Sequence, residues 1–161
     1  MLRSILYATD LGLYAPYVLQ HALALARAFN AEVYVVHAVE PLGLFAESVL
    51  QTYLDENTLQ ELRSKGLATV MASIEQRVLE GFCDEMGEAR QDMQMIRNVR
   101  VVQGDPAQVI LEEARKLGVD LLVVGSHSHG TSQDVPLGRT AARLLQLSET
   151  PVYLVPMLQH R

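Results

Sequence analysis

Short runs of apolar, mostly β-branched residues recur along the chain, and most of them are continuous rather than alternating with polar residues. Continuous runs of this kind are typical of strands that are covered on both faces, as in a parallel sheet. A further run at residues 99–102 alternates more, so we expect it near an edge of the sheet. The four continuous runs occupy residues 5–8, 33–36, 121–124 and 152–155.

Helical patterns, in which apolar residues recur every three or four positions, lie between these runs. The alternation predicts an α/β fold: a single doubly wound domain over residues 1–161, with a five-stranded parallel sheet and helices on both faces. Pro106, which follows Gly104 and Asp105, and Gly118 mark the two ends of the third helix. The helical patterns occupy residues 16–29, about 55–82, 106–117 and 138–147.

A shorter pattern follows the second strand, at residues 41–54. Phe45, Val49 and Tyr53 recur there every four residues, which is typical of a short amphipathic helix. We expect this helix to pack on the sheet or on a partner chain, and a lid over a ligand is the alternative. Between the long helix and the strand at 99–102, the region from Glu80 to Met95 is expected to form a solvated helix end and loop.

Composition narrows the range of partners and compartments. The 161 residues are enough for one domain, and 13 basic against 19 acidic residues give a net charge of −6. This balance argues against nucleic acid and anionic membranes as partners, because both bind basic surfaces. No apolar run approaches the roughly 18 residues of a membrane span. Cys83 is the only cysteine in the sequence, so we expect a reducing, cytoplasmic location.

Candidate ligand-binding residues lie at the carboxyl ends of the strands, where open parallel sheets bind their ligands. Asp10 follows the first strand, and its carboxylate can accept hydrogen bonds from a ribose hydroxyl or an adenine amino group. Capping of a turn or of the first helix by Asp10 is an equal alternative. After the fourth strand, Gly125 and Gly130 bracket a loop, and residues 138–140 begin a helix whose N–H groups favour phosphate.

Four stretches together resemble the universal stress protein family, and the likeness runs from about Ser4 to Pro156. The resemblance implies strand order 3-2-1-4-5, a homodimer through the last strand, Val152 to Val155, and ATP bound in some members, with or without Mg²⁺. The stretches that carry it are Ile5-Leu-Tyr-Ala-Thr-Asp10, Ala31-Glu-Val-Tyr-Val-Val-His-Ala38, Gly104-Asp-Pro106 and Leu121-Leu-Val-Val-Gly-Ser-His127.

The resemblance also assigns roles to individual residues. It implies that Asp10 binds the adenosine end, and that the backbone around Ala38 and Val39 meets the adenine edge. It assigns the phosphates to Gly125, Ser128, Gly138, Arg139 and Thr140.

Two of these positions depart from the pattern of the family's nucleotide-binding members. That pattern is G-x-x-G, nine residues, then glycine followed by serine or threonine; Ser128 replaces its second glycine, and Arg139 replaces its hydroxyl residue. A side chain at 128 prevents the backbone from approaching a phosphate as closely as glycine allows. The guanidinium group of Arg139 can instead donate hydrogen bonds to phosphate oxygens. Asp134 in the same loop repels a triphosphate unless a divalent ion bridges them.

The sequence contains no recognisable group of catalytic residues. His127 and His129 do not have a known zinc-ligand spacing, and we expect both to be solvated or hydrogen-bonded. His37 is expected to be a hydrogen-bonded residue at a strand end rather than a catalyst.

Two functions therefore stay open: an ATP- or AMP-binding regulatory module, or a dimeric protein-interaction module that contacts a regulatory protein partner. ATP hydrolysis is a weaker third option, because no residue stands out as a base.

Overall fold

A computed structural model describes residues 1–10, 14–39, 76–77, 80–81, 87–126 and 137–156. Five parallel strands form one sheet in the order β3-β2-β1-β4-β5, which confirms the strand order and the edge position of the third strand. The expected helix at 41–54 and most of the one at 55–82 lie outside the described residues. The strands are β1 (Ser4–Ala8), β2 (Glu32–Val39), β3 (Ile96–Gln103), β4 (Leu121–Gly125) and β5 (Val152–Val155).

Helices cover both faces of this sheet, as the continuous strands require. Helix α1 (Ala15–Phe29) packs on one face against alternate strand residues such as Ile5, Val33 and Val123. Helices α2 (Pro106–Leu117) and α3 (Arg139–Leu147) are on the opposite face, where Ile110 and Leu144 meet the intervening strand residues. Since successive strand residues point to opposite faces, every buried position of a central strand contributes to one of these two cores.

The two ends of α2 lie at the residues that mark a helix start and a helix end in the sequence. The Asp105 side chain accepts a hydrogen bond from the N–H of Gln108 at 3.2 Å, which caps α2. Gly118 ends the same helix with φ of +61°, the left-handed conformation that glycine adopts without strain. Asp105 and Gly118 therefore fix the length of α2 as the sequence predicts.

The segment before β3 differs from the expected helix end and loop. Residues Gly87–Met95 form a 3-10 helix, and β3 begins directly after it at Ile96. Met93 and Met95 pack against the core on the α1 face, and Asp92 forms a salt bridge of 3.3 Å with Arg27. The salt bridge of Asp92 could not be predicted from the acidic composition of the segment, because it depends on tertiary packing rather than on local periodicity.

Candidate functional site

A cavity of about 290 Å³ opens at the carboxyl ends of β1, β2 and β4, and we call it the strand-end cleft. The chain leaves β1 toward β2 on one side, and β4 pairs with β1 on the other, so the winding direction reverses at this point. Ligands of open α/β sheets bind at such a reversal. The apolar lining includes Val18, Ile110, Val124, Ala141 and Leu144.

The end of β1 is hydrogen-bonded to β2, and Asp10 follows it at the cleft. The N–H of Thr9 donates to the carbonyl oxygen of Val36 at 2.9 Å, and Thr9 is buried. Asp10 is exposed and lines the cleft. Helix α1 begins at Ala15 with Tyr14 as its N-cap, so Asp10 is not the N-cap residue of that helix.

The end of β4 is joined to the start of α3 by backbone hydrogen bonds. The N–H of Ser126 donates to Val155 at 2.8 Å, and the N–H of Gly138 donates to the carbonyl oxygen of Ser126 at 2.7 Å. Gly138 is the N-cap of α3, so the first turn of that helix starts beside the end of β4. The early N–H groups of a helix lack partners within it and suit an anion.

The structure brings together five of the eight residues assigned from the sequence. Val39 and Arg139 are not among the lining residues: the Val39 carbonyl accepts from Gly104 at 2.9 Å, and Arg139 is exposed. Ser128 lies outside the described residues, as do Gly130, Asp134 and the His127–His129 pair. The five that line the cleft are Asp10, Ala38, Gly125, Gly138 and Thr140.

Three tyrosines line the strand-end cleft as well, and the sequence interpretation missed them. Tyr7 is buried in β1 and donates a hydrogen bond to the carbonyl oxygen of Ala15 at 2.8 Å. Burial raises the pKa of the Tyr7 phenol, a hydrogen bond with Thr9 opposes the rise, and the negative charge of Asp10 adds to it. Tyr14 and Tyr17 come from the start of α1. Their spacing of three residues, which places both on one helix face, was the available signal.

His37 is hydrogen-bonded at the end of β2, as expected. Its Nδ1 lies 2.9 Å from the carbonyl oxygen of Thr9, and the side chain is half-buried and lines the cleft. The residue thus connects β2 to the same end of β1 that carries Asp10.

The described residues include neither a metal-binding group of side chains nor a helix that could span a membrane. Over the described ranges, no group of three His, Cys, Asp or Glu side chains is placed to hold a metal ion. Within the same part of the chain, no helix is long and apolar enough to span a bilayer.

Comparison with known proteins agrees with this fold. The model of the universal stress protein family matches residues 1–156. Universal stress protein YxiE of Bacillus subtilis is 26% identical over 156 residues, which cover 96% of this chain and 99% of the relative. Universal stress protein MJ0577 of Methanocaldococcus jannaschii is 23% identical over 159 residues, covering 96% and 95%. The chain therefore belongs to the universal stress protein family.

Solved structures show the same architecture. The structure of the hypothetical protein MJ0577 superimposes with a TM-score of 0.69 at 22% identity, covering 99% of both chains. A universal stress protein in complex with cAMP gives a TM-score of 0.60 at 20% identity, covering 96% of this chain and 97% of the other. At these identities the likeness establishes the fold.

Proposed function

We propose that the strand-end cleft binds an adenine nucleotide, ATP or AMP, and that the protein is a regulatory module rather than a catalyst. The observation that carries this proposal is the meeting of Asp10, Gly125, Gly138 and Thr140 around one mostly apolar cavity at the reversal of the sheet. A concave apolar site with a few convergent polar groups is the usual form of a ligand pocket. A relative with this fold is described in complex with cAMP, which is also an adenine nucleotide.

The proposed nucleotide lies across the ends of the strands. Asp10 accepts hydrogen bonds from the ribose, and the backbone at Ala38, which lines the cleft, faces the adenine edge. The phosphates extend toward Gly125, Gly138 and Thr140, which line the cleft. Phosphate contacts of Ser128 and Arg139 stay predictions from the family resemblance. Among the described lining residues Asp10 carries the only full charge, so the phosphates depend on N–H groups at the start of α3 and on the Thr140 hydroxyl. Mg²⁺ is a candidate companion of the phosphates, because a divalent cation would offset their negative charge.

We propose binding rather than turnover from the lining residues that the structure describes. Hydrolysis of ATP needs a group that orients or deprotonates the attacking water. Asp10 is proposed to bind the ribose, and His37 Nδ1 is hydrogen-bonded to Thr9. Neither residue is placed at the phosphate end of the proposed site.

The test is to identify a nucleotide and then to measure its binding. The purified protein is denatured and the supernatant is searched by mass spectrometry for ATP, ADP, AMP and cAMP. Stripped, refolded protein is then titrated calorimetrically with ATP, with and without Mg²⁺. We expect a saturable signal at one site per chain. Absence of both released nucleotide and heat would refute nucleotide binding.

The homodimer implied by the resemblance is a second proposal, and the edge strand β5 supports it. β5 is the last strand in the sheet order, so its outer side has no neighbour among the described strands. The carbonyl groups of Pro151 and Val155 accept from β4, so by alternation the backbone of Leu154 points away from the sheet. An apolar edge of this kind favours pairing with its own copy across a two-fold axis.

The same edge supports the rival function, a dimeric interaction module with an empty cleft that contacts a regulatory protein. The two functions are separated by the calorimetric experiment, because only the nucleotide-binding module responds to ATP. A cytoplasmic location, inferred from the single cysteine, stays a prediction.

A further inference from the structure

His37 is held in one defined hydrogen-bonding state by its partner. Its Nδ1 lies 2.9 Å from the backbone carbonyl oxygen of Thr9. A carbonyl oxygen only accepts hydrogen bonds, so Nδ1 must carry the hydrogen. In the neutral imidazole the other ring nitrogen, Nε2, then has no hydrogen and acts only as an acceptor.

The imidazole of His37 is held between the ends of β1 and β2 at the strand-end cleft. Thr9 is itself held by its N–H bond to Val36 at 2.9 Å, so His37 closes a small loop of hydrogen bonds between β1 and β2. His37 is half-buried and lines the strand-end cleft beside Ala38. Within the described ranges Thr9 is its one hydrogen-bond partner, and that contact uses Nδ1.

We propose that His37 is a specificity-determining residue for the purine base: its Nε2 accepts a hydrogen bond from the exocyclic 6-amino group of adenine. The inference rests on the proposed function and deepens it, because it names the feature of the base that the cleft selects. A 6-oxopurine such as hypoxanthine or guanine presents a carbonyl oxygen at that position. The oxygen would face a second acceptor, and a site built around a hydrogen bond rejects an analogue that leaves its polar group unpaired.

The experiment compares three nucleotides on two proteins. ATP carries the 6-amino group, purine riboside triphosphate lacks any 6-substituent, and inosine triphosphate carries the 6-oxo group. Dissociation constants are measured calorimetrically at about pH 8, where an ordinary imidazole is neutral. The variant is His37→Asn, because the asparagine amide can still donate to the Thr9 carbonyl but has no atom at the position of Nε2. A melting curve for each protein checks that the fold is retained.

We expect the original protein to bind ATP about tenfold or more tightly than the other two nucleotides. His37→Asn should weaken ATP binding by a similar factor and leave the affinity for purine riboside triphosphate nearly unchanged. A purely structural role for His37 would instead weaken all three ligands equally, and that result would overturn the inference. Equal affinities of the original protein for all three would overturn it too, while leaving nucleotide binding intact. Failure of every nucleotide to bind would refute the proposed function, and this inference with it.

If His37→Asn does not fold, a second variant keeps the inference testable. His37→Gln can place an amide group near the position of Nε2, and the amide offers either its oxygen or its nitrogen. It should therefore accept from ATP and donate to inosine triphosphate, so that the preference between the two falls to about twofold. Retention of the full preference for ATP in that variant would overturn the inference.

Discussion

Gly138 and Ser126 are twelve positions apart in the sequence, yet the N–H of Gly138 donates to the carbonyl oxygen of Ser126 at 2.7 Å. This bond brings the two ends of the connection between β4 and α3 together at the strand-end cleft. The start of α3 consequently faces the same cavity as Asp10, which comes from the other side of the sheet reversal. The proposed phosphate and adenosine ends of the site are thereby held at a fixed separation.

Replacement of Asp10 by alanine tests the adenosine end of the site. A hydrogen bond to a charged group contributes about 1.5 to 3 kcal/mol, so we expect Asp10→Ala to weaken ATP binding at least tenfold. Because Asp10 is exposed, the melting temperature should stay within a degree or two of the original. Glu112→Ala, at an exposed acid on α2, is the matched control and should leave binding unchanged. Equal ATP affinity in Asp10→Ala would show that the adenosine is elsewhere.

The edge of β5 can be tested with a proline that spares the sheet. Leu154 directs its backbone N–H away from β4, so Leu154→Pro removes a donor from the outer edge without breaking the ladder to β4. We expect a monomer by sedimentation where the original protein sediments as a dimer. Leu154→Ala loses side-chain packing but keeps the N–H, and should stay dimeric. A dimeric Leu154→Pro protein would place the interface elsewhere.

Much of this fold follows from the sequence for a physical reason. Strands β1 and β4 are buried on both faces, and their continuous apolar runs predict this burial. Asp105 and Gly118 are local signals whose effect depends on a few neighbouring residues, so the bounds of α2 were predictable as well. The resemblance to one family supplied the strand order, which local patterns leave undetermined.

The contacts that were missed depend on long-range packing. The hydrogen bond between His37 and Thr9 joins residues 28 positions apart, and no periodicity in the sequence encodes it. Tyr7, Tyr14 and Tyr17 meet at the cleft only because α1 packs back over β1. The backbone of Val39 was assigned to the adenine edge through the family resemblance; Val39 does not line the cleft, and its role stays a prediction.

One such long-range contact is an ion pair between β3 and α2 in which the carboxylate is buried and the guanidinium is half-exposed. Both carboxylate oxygens of Glu113 accept from one guanidinium nitrogen of Arg100, at 3.1 and 2.9 Å. The Glu113 side chain is 3% exposed, whereas that of Arg100 is 46% exposed. Removal of Arg100 therefore leaves a buried carboxylate without its counter-charge.

We expect Arg100→Ala to lower the free energy of unfolding by about 3 kcal/mol, measured by urea denaturation. Glu113→Gln keeps the shape of the side chain and leaves a half-exposed guanidinium that water can solvate, so its cost should be nearer 1 kcal/mol. Similar small losses in both variants would mean that water reaches Glu113 and replaces the arginine.

Gly104 and Gly118 offer a matched pair of backbone tests. Gly104 has φ of +154°, and a Cβ placed there would lie 2.8 Å from Cγ2 of Val109. Gly118 has φ of +61°, with nothing within 4 Å of such a Cβ. Gly118→Ala should cost about 1 kcal/mol through backbone strain, whereas Gly104→Ala adds a steric clash and should cost about 2 to 3 kcal/mol.

The clash at Gly104 can be relieved to check its cause. Val109→Ala removes the methyl group that the new Cβ would meet, so the double variant should be more stable than the sum of the two single losses predicts. Strict additivity of the two losses, measured by urea denaturation, would show that backbone strain alone accounts for the effect at Gly104.

Asp120 makes the stability of the folded chain depend on pH in the acidic range. The N–H groups of Arg3 and Ser4 donate to its Oδ2 at 2.8 and 3.1 Å, and these bonds hold the pKa of the carboxyl below its ordinary value. Because the pKa is lower in the folded than in the unfolded chain, the stabilisation is fully present above the unfolded value of about 3.9 and is lost as the pH falls through the folded value. We therefore expect Asp120→Ala to lower the melting temperature at pH 7, and we expect this difference from the original protein to begin to shrink as the pH falls below about 4. Glu112→Ala should show no such change with pH. A melting difference for Asp120→Ala that stayed constant down to pH 3 would mean that the carboxylate charge contributes nothing at the start of β1.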